Sequence, residues 1–92
     1  MNSCPPMPDA EPAGRYLFLV EGLDPGDALL RVLGVVRVQQ ADVLDLSFRR
    51  SGGRFEAKLQ IAGLGVQRAE HLSRRLAQLP VVTGVSFGWS GG

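Results

Sequence analysis

One short turn, Gly22-Leu23-Asp24-Pro25-Gly26-Asp27, gathers two acids, a proline and two glycines between an apolar run and a helical pattern. A helix that starts there presents free backbone N–H groups, which take a carboxylate or another anion. Gly26 lets a small molecule come close to the backbone. Binding a small anion is the chemistry these residues can do. The same residues also read as a plain helix start, with Asp24 as cap, Pro25 in the first turn and Asp27 as the early acid. Elsewhere the chain is poor in reactive groups. With one histidine, His71, and one cysteine, Cys4, neither a Ser-His-Asp or Cys-His constellation nor a multi-cysteine metal site can be assembled. His71 stands among Arg and Glu and reads as a solvent-facing side chain. Gly63-Leu64-Gly65 lacks the third glycine and the lysine of a phosphate loop and reads as a connector. We expect no catalytic residue, no metal and no cofactor.

Six elements must position that turn. Arg15 to Glu21 is apolar on both faces and rich in strand-formers, as suits a central strand. Leu29, Val32, Leu33 and Val36 line one face of a helix expected from about Pro25 to Val38. From Val43 to Arg50 the period changes to two, with Leu44, Leu46 and Phe48 on one face and Asp45, Ser47 and Arg49 on the other. Arg54 to Ala62 repeats it, with Phe55, Ala57, Leu59 and Ile61 inward and Arg54, Glu56, Lys58 and Gln60 outward. Ser51-Gly52-Gly53 joins the two as a hairpin. Val66, Ala69, Leu72, Leu76 and Leu79 trace a second helix that Pro80 ends, and Val81 to Trp89 forms the last strand, with Val85, Phe87 and Trp89 on one face. Strand, helix, strand, strand, helix, strand predicts an α+β, ferredoxin-like βαββαβ sandwich: one four-stranded antiparallel sheet, order 4-1-3-2, with both helices on one face. The second strand then lies at an edge with unpaired backbone groups, which favours a two-fold dimer through it.

Ninety-two residues make one domain, expected over residues 15–89, and a chain this short buries only about 60 to 65% of its unfolded surface. A formal net charge of +1 supplies no overall field for nucleic acid or an anionic membrane. Arg49, Arg50 and Arg54 read as a solvated hairpin tip, and Phe48 and Phe55 fall on inward positions instead of forming an RNA-stacking platform. A small ferredoxin-like RNA binder is thus the weaker alternative. Residues 1–14 hold four prolines and two acids and read as a disordered tail without the marks of a secretion signal. No run approaches the ~18 apolar residues of a membrane span. The lone cysteine and the lack of a signal fit a cytoplasmic protein.

The stretch Asp24-Pro25-Gly26-Asp27-Ala28-Leu29-Leu30-Arg31-Val32-Leu33-Gly34-Val35-Val36, followed by Asp42-Val43-Leu44-Asp45-Leu46, resembles the ACT domain, a regulatory module of this topology. More narrowly it is similar to the small regulatory subunits of acetolactate synthase, whose first turn reads roughly Asn-x-Pro-Gly. Val81-Val82-Thr83-Gly84-Val85 matches the closing strand of that group more weakly. The resemblance implies a homodimer with an interface at Leu29, Val43, Leu44, Asp45 and Leu46. It also implies an amino-acid effector, valine or isoleucine, held by Asp24, Pro25, Gly26 and Asp27 of one subunit and by Asp42 and Val43 of the other. The implied partner is the catalytic large subunit, which would own every cofactor, and Glu56, Lys58 and Gln60 are the expected docking face for it. A stand-alone ACT-like amino-acid sensor or dimerisation module is the alternative within the same resemblance. Both positions where that group carries Asn are Asp here, and the Asp24 carboxylate competes with an effector's carboxylate for the same N–H groups.

Overall fold

The computed structural model describes residues 14–91, so the expected tail lies outside them except for Gly14. The elements follow the anticipated order: β1 (Gly14–Leu23), α1 (Ala28–Val38), β2 (Asp42–Ser51), β3 (Arg54–Leu64), α2 (Val66–Ala77) and β4 (Val82–Gly91). The strands form one antiparallel sheet in the order β2-β3-β1-β4, which is the 4-1-3-2 order read from the other edge. Both crossovers carry a helix over the same face, and the core lies between.

Period two holds along β1 and along β3 as far as Ile61. Tyr16, Phe18 and Val20 of β1 and Phe55, Ala57, Leu59 and Ile61 of β3 are buried, and Ala28, Val32 and Val36 of α1 with Ala69, Leu72 and Leu76 of α2 close over them. Phe87 stacks on Phe18 with ring centroids 5.2 Å apart and meets Tyr16 at a tilt. The other face of β1 is open: Leu17 and Leu19 lie opposite Gly88, which has no side chain, and Ser86, which has a small one, and both leucines are partly exposed. The apolar run of β1 is therefore covered on one side alone.

Two local expectations are corrected. β2 is not a regular two-period strand, because Val43 opposes Ile61 and Leu46 opposes Leu59, with a bulge at Leu44–Asp45 between them. The bulge absorbs one residue, so Val43, Leu46 and Phe48 share the helix-covered face and Leu44 leaves it for solvent. The helix also begins three residues later than anticipated, at Ala28, because Gly26 sits at φ +127°, outside helical conformation. The hairpin behaves as its glycines require: Gly52 and Gly53 both take positive φ, as a two-residue turn of the right twist demands.

Candidate functional site

Asp24 folds back on its own loop. Its Oδ1 accepts the Gly26 N–H at 2.7 Å and, more weakly, the Ala28 N–H at 3.4 Å, the side-chain-to-backbone turn that Asp favours. Oδ2 receives the Arg50 Nε–H from the end of β2. The loop is tied to the hairpin a second time by the Asp24 N–H, which donates to the Gly53 carbonyl at 2.9 Å. The Asp24 residue is half-buried, its carboxylate covered by these partners, whereas Arg50 stays largely exposed and lies 5.8 Å from the Phe48 ring centre. The formal N-cap is Asp27, not Asp24, and it makes no side-chain cap bond. It uses Oδ2 on Arg31 Nε, 2.9 Å away and one turn on.

The Gly26 N–H bond above all, with the Ala28 N–H and Arg50 behind it and burial opposing them, holds the Asp24 carboxyl below its ordinary pKa. A lowered pKa stabilises the fold above the usual carboxylate range and ceases to do so as pH falls through the lowered value. The thermal midpoint of the wild type should therefore exceed that of Asp24→Asn by a constant margin from neutral pH to about pH 5, and the margin should shrink below about pH 4. A margin that widens in acid would show that the carboxylate is not stabilised by these bonds.

Of the expected effector residues, the structure gathers Asp24, Pro25, Gly26 and Asp27 in one loop but sets Asp42 and Val43 at the other end of the sheet. Leu23 pairs with Arg54, while Asp42 pairs with Ala62, a separation of roughly 26 Å along the strands. Within one chain the two groups cannot share a ligand. Leu29 is half-buried on α1, and Leu44, Asp45 and Leu46 are exposed along the free edge of β2. Glu56 and Lys58 project from the open sheet face, and Gln60 reaches toward Ser90 there at 3.4 Å. Among the described residues no helix is long and apolar enough to cross a membrane.

Sequence reasoning missed Arg50 as a partner of the loop. The visible signal was its place beside a tight Gly-Gly turn, which folds the end of β2 toward the end of β1. It also missed a groove of about 270 Å³ between the helices, lined in part by Arg31, Gly34, Val38 and Arg75.

No family model matches the chain, and no curated protein matches it. Solved structures do. The ACT domain from GTP pyrophosphokinase of Chlorobium tepidum superposes with a TM-score of 0.77 at 16% identity, covering 84% of this chain and all of that one. An uncharacterized protein from Thermotoga maritima gives 0.70 at 16% identity over 85% of this chain and 98% of the other. A homoserine dehydrogenase from Thiobacillus denitrificans gives 0.72 at 11% identity, covering 97% of this chain but 20% of that larger one. The chain therefore has the ferredoxin-like fold of an ACT domain.

Proposed function

We propose that the chain is a non-catalytic regulatory module that works as a homodimer joined along β2 and takes a small amino acid at the β1–α1 loop. The order of charges on β2 carries this reading: Asp42 and Asp45 occupy its first half, Arg49 and Arg50 its second. An edge strand with scattered like charges repels a copy of itself, but acids followed by bases are self-complementary in antiparallel pairing. Centring the two-fold on Ser47 sets Asp45 against Arg49 twice and packs Leu46 beside the partner's Phe48. The same pairing brings the start of the partner's β2, beyond its bulge, close to Ser51 and so to the loop that Asp24 and Arg50 hold. The two halves of the expected effector site, distant in one chain, then meet across the interface.

Ser47→Cys on a Cys4→Ser background should form a dimer crosslink on mild oxidation, since facing strand residues meet disulfide geometry. Ser86→Cys on the opposite edge, β4, should not. Asp45→Arg should weaken the dimer in sedimentation, and Asp45→Arg combined with Arg49→Asp should restore it. Crosslinking through Ser86→Cys in place of Ser47→Cys would overturn the β2 dimer.

The narrower assignment is to the small regulatory subunit of an acetolactate synthase in branched-chain amino acid biosynthesis, a cytoplasmic role with valine or isoleucine as effector. It rests on the residues Asp24 to Val36 and Asp42 to Leu46. Reconstitution with the catalytic large subunit should raise turnover. A rate unchanged at a tenfold excess of this chain favours a stand-alone sensor instead.

Asp24 makes the effector site self-occupied. Its carboxylate sits on the N–H groups and the guanidinium that an amino acid's carboxylate would use. Asp24→Asn keeps an acceptor for Gly26 yet frees Arg50, so it should strengthen valine or isoleucine binding in calorimetry. Tight binding by the wild type that weakens in the Asn variant would mean that Asp24 instead holds the ligand's ammonium group.

A further inference from the structure

The charges are unevenly spread. The two helices hold five arginines, Arg31, Arg37, Arg68, Arg74 and Arg75, against the single acid Glu70, so half of the ten basic residues of the chain lie in the helical layer. Between the helices runs the groove of about 270 Å³. Val35 and Leu79, partly buried against the core, and Val38, 71% exposed, give it an apolar lining. Arg31 and Arg75 stand on its two walls. Gly34 opens it further: a Cβ there would meet no atom within 4 Å. Arg31 already has Asp27 as a partner, while among the described residues Arg75 has no ion pair. By helical phase this flank of α1 faces away from the β2 edge, so it stays open in a monomer and in a β2 dimer alike.

We propose that this groove docks an acidic polypeptide segment of a partner protein, anchored by one or two aliphatic side chains. Its volume lies below that of pockets for drug-sized ligands and suits one or two side chains. An apolar floor between two arginines asks for an aliphatic group flanked by carboxylates, which make charge-assisted bonds to guanidinium. A nucleic acid supplies the charge but no aliphatic anchor, and a flat membrane surface does not enter a groove between helices.

Fluorescence anisotropy with the full chain tests this. The probe is a labelled peptide of about twelve residues, Asp and Glu with two central leucines. The control peptide has serine in place of both leucines, and a single-stranded RNA of equal length serves as a second polyanion. The leucine peptide should bind roughly tenfold more tightly than the serine peptide. Gly34→Leu, which fills the groove and improves a helix-interior position, should weaken that binding about tenfold, as should Arg75→Glu. Equal binding of both peptides, equal or tighter binding of the RNA, or indifference to Gly34→Leu would each overturn the proposal. If Asp9→Asn with Glu11→Gln strengthens binding of the leucine peptide while leaving that of the serine peptide and the RNA unchanged, the groove is taken by the chain's own acidic N-terminal segment and the partner assignment falls.

Discussion

Replacing Gly22 with Ala should cost the domain about 3 kcal/mol, enough to lower the thermal midpoint by roughly 15 °C. Gly22 lies on the buried face of β1, between Phe55 of β3 and Val82 of β4, where the β1–β4 register shifts. An added Cβ would sit 1.9 Å from the Val81 carbonyl oxygen and 2.9 Å from the Val82 Cα. Those are backbone atoms, so no side chain can swing away. The obstructed carbonyl also accepts the Leu23 N–H at 2.9 Å, and relieving the clash would break the bond that seats the start of β4 against the β1–α1 turn. Gly34→Ala is the matching control: it stands in open space and should be neutral or slightly stabilising. Chemical denaturation of the two variants side by side measures the difference. A Gly22→Ala protein as stable as the wild type would mean that the Val81–Val82 backbone moves freely over β1.

The fold was legible because its central strands and helices obey single periodicities. Phe55, Ala57, Leu59 and Ile61 alternate without interruption, and Ala69, Leu72 and Leu76 hold the helical spacing, so all seven residues are buried. Legibility failed where a local bond or an extra residue displaced the period. At β2 the bulge moved Leu44 off the face that alternation assigned to it, and an edge strand with no fully buried residue on its covered face offers too few buried partners to reveal a slip. At the loop, Asp24 was expected to cap a helix starting at Pro25. Its closer bonds go instead to Gly26, two residues on, and to Arg50, 26 residues on, with only a weak one to the Ala28 N–H where the helix starts. Propensity alone cannot separate a cap from such a turn, since the same short carboxylate serves both.

The candidate site was half legible for a related reason. Its loop residues are contiguous and carry strong turn chemistry, whereas Arg50 acquires its role only through the Gly52–Gly53 hairpin. Within a single chain Asp42 and Val43 lie too far from that loop to share a ligand with it, and Val43 packs against the core. Their assignment came from resemblance, and the roughly 26 Å that separates them from Asp24 makes a second copy necessary for it. Site and dimer therefore stand or fall together, which gives a stability measurement a bearing on function.

Phe18→Ala should be the most damaging single truncation, at about 4 kcal/mol, against a total stability on the order of 5–14 kcal/mol for a domain of this size. Phe18 has no exposed surface, stacks on Phe87 and pairs with Leu59 across the sheet. The removed ring leaves a cavity that rigid strands on both sides cannot close. Leu19, the next residue, points to the open face at 40% exposure, and its truncation to Ala should cost less than about 1 kcal/mol. A variant brought this close to the unfolding threshold also reports on assembly. If dimers form along β2, mass action should raise its thermal midpoint as protein concentration increases from about 1 to 100 μM, because only the folded state pairs. Should Phe18→Ala fail to fold, Phe18→Leu removes less volume and reads the same dependence. A midpoint that does not move with concentration would count against the β2 dimer, and with it against the composite site formed by the β1–α1 loop of one copy and Asp42 and Val43 of the other.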